Sequence, residues 1–157
     1  MANIKNTTSN TLLSGTSGND SIQNGWYDYD KDKLVSGGSK VTINAGAGND
    51  SIDNSGDSVS IDGGDGDDTI ENGDWWLYDG GSNITIDAGA GNDKIRNYGD
   101  SVTIDAGNGN DMISLDSYSE NALILYKSGD GNDTIHDFNS TSTLSISGSS
   151  YSTRGCW

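Results

Sequence analysis

Short stretches of alternating apolar and polar residues recur along the chain at a regular interval. The two cleanest, Val41 to Ser58 and Ile84 to Ser101, are each 18 residues long. A period of two predicts β-strands with one inward and one outward face. In the first stretch, the inward positions are Val41, Ile43, Ile52 and Asn54 and the outward ones are Thr42, Asn44, Ser51 and Asp53. Two strands and two turns therefore make one coil of an all-β solenoid.

A glycine-rich segment joins the two strands of each coil. Residues Gly63 to Glu71 fit the nonapeptide G-G-x-G-x-D-x-U-x, in which U is a large apolar residue, without a mismatch. The glycines permit positive φ angles in a loop that turns carbonyls toward a cation, and the Asp adds a carboxylate. Five further copies begin at Gly15, Ala45, Ala88, Ala106 and Ser128. Six loops ending G-(N/D)-D-x-I indicate a repeated calcium-binding loop.

These loops resemble the repeats of the repeats-in-toxin (RTX), or haemolysin-type calcium-binding, family over roughly residues 11 to 147. The resemblance implies a right-handed parallel β-roll in which each Ca²⁺ lies between loops one coil apart. The carboxylates carried over are Asp20, Asp50, Asp68, Asp93, Asp111 and Asp133. The further loop residues carried over are Ala45, Ala47, Gly63, Asp65, Ala88, Ala90, Ala106, Asn108, Ser128 and Asp130.

The chain departs from the family pattern in one respect, because the loop occurs once per coil instead of every nine residues. Only one edge of the roll is then expected to bind calcium. Six loops enclose at most five gaps, which predicts about four to five ions. The non-cation reading of each loop Asp is a turn-capping residue, since Asp commonly forms such turns.

The turn at the other end of each coil reads N-x-G-D-S, as in Asn54 to Ser58. Its Asn recurs as Asn24, Asn54, Asn72 and Asn97, which predicts an internal amide ladder. Spacings between the loop aspartates are 30, 18, 25, 18 and 22 residues, and the extra residues fall on this half of the coil. Insertions at Gly25 to Lys33, Gly73 to Gly81 and Leu115 to Asn121 are therefore expected to project from one edge.

The two ends of the chain depart from the repeat. Residues 1–10 are polar apart from Ile4 and are interpreted as a lead-in or cap, followed by the β-roll over 11–147. Residues 148–157 lose the pattern and are interpreted as an irregular C-terminal end. Phe138 is expected to plug the open end of the core, and end-to-end or tandem association is a further hypothesis.

The net charge opposes folding of the predicted solenoid, because 24 acidic residues against 8 basic ones give a formal net charge of -16. Low hydrophobicity with such a charge is typical of disorder unless cations bind. If each site had a dissociation constant near 0.1 mM, calcium at ~1 mM would stabilise the fold by about 1.4 kcal/mol per site. We therefore expect a largely unfolded chain without calcium that folds when calcium binds.

The same charge argues against a nucleic-acid partner and against an anionic membrane surface. No apolar run approaches the roughly 18 residues of a membrane span, so membrane insertion is not expected. The N-terminus lacks the apolar core of a cleavable signal peptide. His136 is the single histidine, and no nucleophile with a base is visible, so an enzyme is not expected.

The leading interpretation is a non-catalytic, calcium-binding β-roll module of a secreted or cell-surface bacterial protein. An alternative is an adhesin-like module that recognises a glycan or a protein through aromatic residues of the insertions, namely Trp26, Tyr27, Tyr29, Trp75, Trp76 and Tyr78. These aromatic side chains could instead pack on one another over the flank of the roll. Ice binding is a third hypothesis, based on outward rows at Thr42, Ser60, Thr85 and Thr103 and at Asn44, Asp62, Asp87 and Asp105.

Overall fold

The computed structural model describes residues 1–28, 30–74 and 80–148, and within them the chain forms strands and no helix. Sheet A is parallel and contains β1 (Asn3–Asn6), β3 (Ser21–Asn24), β7 (Ser51–Asn54), β9 (Thr69–Asn72), β11 (Lys94–Asn97), β13 (Met112–Leu115) and β15 (Thr134–His136). Sheet B is parallel and contains β2 (Leu12–Ser14), β6 (Thr42–Ala47), β8 (Ser60–Asp65), β10 (Thr85–Asp87), β12 (Thr103–Asp105), β14 (Leu123–Lys127) and β16 (Thr143–Ser147). Each coil adds one strand to each sheet, which confirms the predicted all-β parallel solenoid.

The register places identical core residues above one another. In sheet A, Ile52 pairs with Ile22 on one side and Ile70 on the other. In sheet B, Ile61 stands between Ile43 and Ile86 in the same way. These isoleucines are at most 1% exposed. A one-residue slip would turn a whole strand inside out, so the two isoleucine columns fix the register that the loops require.

The connection from sheet A to sheet B, which we call the turn edge, contains the predicted amide ladder. Asn24 Nδ2 donates to Asn54 Oδ1, Asn54 to Asn72, and Asn72 to Asn97, each at 2.8 Å. Asn6 extends the ladder by donating to Asn24 at 2.9 Å. The four predicted Asn side chains are at most 2% exposed. Because each amide also bonds a turn backbone, the ladder satisfies groups that would otherwise be buried without partners.

The first insertion forms an antiparallel hairpin of β4 (Trp26–Asp28) and β5 (Lys33–Val35), which leaves the roll at the turn edge as expected. The third insertion is shorter than predicted. Leu115 belongs to β13, pairs with Asn97 and is 2% exposed, so it occupies the inward position of the ladder. Ser119 continues the polar contact there, because its Oγ donates to the Asn97 carbonyl at 3.1 Å.

The C-terminal end of the described roll is open. Phe138 is 46% exposed, so the prediction that it plugs the core is wrong. Leu144 and Ile146 are also 40% and 36% exposed; they lie in β16, which among the described residues is an edge strand paired with β14 alone. Ile135 packs against the core and covers it in part. Across residues 1–28, 30–74 and 80–148, no helix is long and apolar enough to cross a lipid bilayer.

Candidate metal centre

The connection from sheet B to sheet A, which we call the loop edge, contains the glycine-rich segments. Gly64 and Gly66 have φ angles of 100° and 129°, in the left-handed region that favours glycine. Adjacent loops are in close contact, since a Cβ on Gly64 would stand 1.8 Å from the carbonyl oxygen of Gly46. The glycines are thus required both for the path of each loop and for its distance from the next.

The loop aspartates form a continuous column along this edge. The backbone N–H of Asp50 donates to Oδ1 of Asp68 at 2.7 Å, and that of Asp68 donates to Oδ1 of Asp93 at 2.8 Å. The same bond joins Asp20 to Asp50, Asp93 to Asp111 and Asp111 to Asp133. The structure therefore brings all six predicted carboxylates together, one per coil, with one oxygen of each later Asp fixed by the coil before it.

The second carboxylate oxygen of most loop aspartates lacks a hydrogen-bond partner in the part of the chain that the structure describes. Oδ2 of Asp50, Asp68, Asp93 and Asp111 is buried and has no hydrogen-bond partner among the described residues. These four residues are at most 3% exposed. A buried carboxylate oxygen without a partner is costly, and such groups normally pair with a positive charge or coordinate a metal.

Burial also raises the pKa values of most aspartates in the column. Loss of hydration raises the pKa of Asp93 to about 7, and that of Asp68 and Asp111 to about 6. Burial likewise raises the pKa of Asp50 and of Asp133. Repulsion between neighbouring carboxylates adds to the effect, and the hydrogen bond from the preceding backbone N–H opposes it. In its ionised form the column lacks compensating positive charge.

Backbone carbonyls lie beside the carboxylates. Asp68 Oδ2 and the Ala88 carbonyl oxygen are 2.6 and 2.5 Å from the point where a Cβ on Gly63 would stand. At the first loop, Asp20 Oδ2 and the Ala45 carbonyl oxygen are 2.8 and 2.1 Å from the equivalent point on Gly15. A carboxylate oxygen and a carbonyl oxygen from adjacent coils thus approach one space, which suits a cation that prefers oxygen ligands.

The carbonyls at the third loop position are partly engaged already. The Asp65 carbonyl accepts from the Gly48 N–H at 2.8 Å, and the Ala90 carbonyl accepts from the Gly66 N–H at 2.7 Å. Asn108 and Asp130 use their carbonyls in the same way toward Gly91 and Gly109. A carbonyl oxygen has two lone pairs, so one remains for a cation at each of these positions.

The first loop differs from the others. Both oxygens of Asp20 accept hydrogen bonds: Oδ1 from the Ala2 N–H, and Oδ2 from the N–H and the hydroxyl of Thr16. The Ala2 bond in particular lowers the pKa of Asp20, in contrast to the rest of the column. Thr16 stands where the later loops have glycine at the second position, so the sequence carried a signal for this difference.

The described residues fit a divalent cation on these grounds. No three His, Cys, Asp or Glu side chains within them converge on one point, so a cation at the column would need backbone carbonyl oxygens as further ligands. The unpartnered Oδ2 atoms and the raised pKa values together indicate missing positive charge. Sequence reasoning did not identify a second, exposed ladder on the same loops, in which Asn49 Oδ1 accepts from the Asp67 N–H and Asp67 Oδ1 from the Asn92 N–H.

The residues of the alternative hypotheses lie elsewhere. Trp26 and Tyr27 are half-buried in the hairpin, whereas Tyr29, Trp75, Trp76 and Tyr78 fall outside the described residues. The outward rows of sheet B are in register, as the pairs Thr85–Thr103 and Asp87–Asp105 show. The Thr row continues into Leu123, and Lys127 Nζ binds the Asp105 carboxylate across the second row.

A family model described as the RTX calcium-binding nonapeptide repeat (4 copies) matches residues 27–58, 76–97 and 98–117. The matched ranges contain three loops of the column, with Asp50, Asp93 and Asp111. No curated protein and no solved structure matches the chain.

Proposed function

The chain belongs to the RTX family of calcium-binding repeats, and from this premise we propose that Ca²⁺ binds between successive loops of the aspartate column and drives folding of the roll. RTX repeats bind calcium as structural modules, so the chain is a calcium-binding β-roll. The observation that carries the proposal is the set of buried, unpartnered Oδ2 atoms on Asp50, Asp68, Asp93 and Asp111. Calcium supplies the positive charge that these oxygens lack.

The proposed ligands follow the geometry of the loops. Each gap combines the Asp carboxylates with carbonyls of the first and third loop positions of adjacent coils. The gaps bounded by Asp50, Asp68, Asp93 and Asp111 are equivalent. The gap that involves Asp20 is expected to bind more weakly, because Thr16 already satisfies that carboxylate. About four to five ions per chain follow from this arrangement.

We propose that the module acts outside the cell, because its folding depends on calcium. RTX repeat proteins are typically secreted, and weak sites of this kind are suited to the high calcium concentration of extracellular modules. Inside a cell, where free calcium is far lower, the ionised column would oppose folding. The module would therefore fold after it leaves the cell. Its role there is structural, with no catalytic step assigned to it.

A calcium titration followed by far-UV circular dichroism tests the proposal, with magnesium as the control ion and calorimetry for stoichiometry. We expect a sharp coil-to-β transition with calcium and four or five ions bound. Magnesium should be ineffective, because it demands a small octahedral site. A chain that is already β-structured in excess chelator, or that never responds to calcium, would overturn the proposal and leave the aspartates as turn residues.

A second candidate function, adhesin-like recognition, is favoured by one observation. The hairpin presents Trp26 and Tyr27 beside a groove on the outer face of sheet A. Aromatic residues next to fixed polar groups are common in recognition sites. Calcium would then act indirectly, since the groove is formed by side chains from several coils and exists only in the folded roll.

A further inference from the structure

A groove of about 470 Å³ lies where hairpin β4–β5 meets the outer face of sheet A. Its sheet side is formed by Gln23, Asp53 and Glu71, which stand at one register position on three consecutive coils. Trp26 and Tyr27 line it from the hairpin. The volume falls within the roughly 300–1,000 Å³ of small-ligand sites.

The polar groups of the groove are held in place by their neighbours. Gln23 Nε2 donates to Asp53 Oδ2 at 3.0 Å. Glu71 forms an ion pair with Arg96 at 3.8 Å. Lys5 Nζ stands 4.9 Å from the centre of the Trp26 ring, a cation–π distance. Side chains fixed on strands in this way give a preformed site, which lowers the entropic cost of binding.

The mixture of groups selects the chemistry of the ligand. Lys5, Gln23 and Ser55 supply hydrogen-bond donors, while Asp53 and Glu71 supply acceptors. The three carboxylates of the groove, on Asp53, Glu71 and Asp74, oppose an acidic ligand. Lys5 and Arg96, which pairs with Glu71, offset two of these charges, so the local net charge of about -1 gives a cationic ligand little attraction. A ligand that offers donors and acceptors at close spacing, with apolar faces for the aromatic rings, satisfies the whole set.

We propose that this groove binds a short neutral oligosaccharide. The proposal deepens the recognition role described above and rests on the calcium-dependent folding of the roll, which brings the three coils into register. Sugar hydroxyls would take the place of water on Gln23, Asp53 and Lys5, and the pyranose faces would lie against the hairpin. A polybasic peptide is the alternative occupant that the test must separate.

The test uses the full chain in calcium, with folding first verified by circular dichroism. Saturation-transfer NMR would screen maltotriose, cellotriose, mannotriose and chitotriose, with sialyllactose and trilysine as charged probes. We expect one or more neutral trisaccharides to bind and both charged probes to fail. Gln23→Ala and Lys5→Ala should each weaken binding about fivefold or more, as expected for the loss of a net hydrogen bond. Lys127→Ala, which removes an exposed lysine of sheet B that does not line the groove, is the matched control and should leave affinity unchanged.

Each other outcome refutes the inference. Binding of trilysine alone would make the groove a cation site, and binding of none of the neutral trisaccharides to a folded chain would remove the saccharide assignment. Equal losses in Lys5→Ala and Lys127→Ala would place any sugar elsewhere. These results are distinct from failure of the calcium proposal, because that failure would appear first, as a chain that does not fold in response to calcium.

Discussion

Replacing Asp93 with Asn should change the stability of the roll in opposite directions with and without calcium. At pH 8 a rise of the Asp93 pKa from 3.8 to about 7 opposes folding by about 4 kcal/mol. The Asn side chain is neutral and keeps an oxygen that can accept the 2.8 Å hydrogen bond from the Asp68 N–H. Burial of its NH₂ group without a well-placed acceptor would cost about 1–3 kcal/mol. Without calcium, Asp93→Asn should therefore stabilise the roll by about 2 kcal/mol.

With calcium the sign should reverse. Asp93 borders two gaps of the column, each worth about 1.4 kcal/mol when calcium is tenfold above its dissociation constant. Loss of the carboxylate should remove about 3 kcal/mol of calcium stabilisation, which exceeds the gain of about 2 kcal/mol, so the variant should be less stable by about 1 kcal/mol. The measurement is urea unfolding in saturating calcium, compared with unfolding in chelator plus a stabilising osmolyte that populates the calcium-free fold.

Asp100→Asn is the matched control, since this exposed carboxylate accepts a single 2.8 Å hydrogen bond from the Glu120 N–H at the turn edge. Its effect should stay within about 0.5 kcal/mol under both conditions. If Asp93→Asn destabilised the roll equally with and without calcium, the carboxylate would serve only the turn. The account of the column would then be wrong.

Three further predictions follow from the loop edge and the turn edge. In calcium-free buffer, β-structure measured by circular dichroism should increase as pH falls from 8 to 5. Because the pKa values of Asp68, Asp93 and Asp111 are raised in the folded chain, it binds protons more readily than the unfolded chain does. The stability gained from this protonation is present at low pH and is lost as pH rises through 6 to 7. A β-structure content that does not change with pH would contradict this prediction. Gly64→Ala should destabilise the roll by about 3 kcal/mol or more, measured by denaturant unfolding in the presence of calcium. Gly18→Ala, whose Cβ would meet nothing within 4 Å, should be nearly neutral, and equal effects of the two changes would refute the steric argument. Asn72→Ala should cost about 3 kcal/mol by thermal unfolding, because it removes three buried hydrogen bonds, to Asn54, Asn97 and Gly81. The exposed Asn92→Ala should cost less than about 1 kcal/mol.

The sequence was sufficient to predict features that repeat in every coil. The offset of nine residues from Val41 to Asp50 and from Ile84 to Asp93 fixes the strand and the loop together, so stacking coils must align their aspartates. The amide ladder was predictable for the same reason. Repetition turns local spacing into three-dimensional placement, because every coil contacts only its neighbours.

Features without a repeat were not predictable in this way. Phe138 lies between β15 and β16, outside the alternating strands, so no period of the sequence determines whether its side chain is buried. The pairing of Trp26–Asp28 with Lys33–Val35 is a local contact inside an insertion that lacks the period of the roll. The position of Lys5 over Trp26 joins two coils through an outward row, where the pattern of buried residues gives no constraint.

The aspartate and asparagine ladders both have a direction, since in every bond the donor lies on one coil and the acceptor on the next coil in chain order. Coils with a loop and an amide in register are therefore interchangeable units along a single axis. A gain or loss of one whole 18-residue period would lengthen or shorten the module while each remaining donor still met an acceptor. A change of nine residues would place a turn against a loop. Lengths in such proteins should thus evolve in steps of complete coils, and the reach of the module would be set by how many are present.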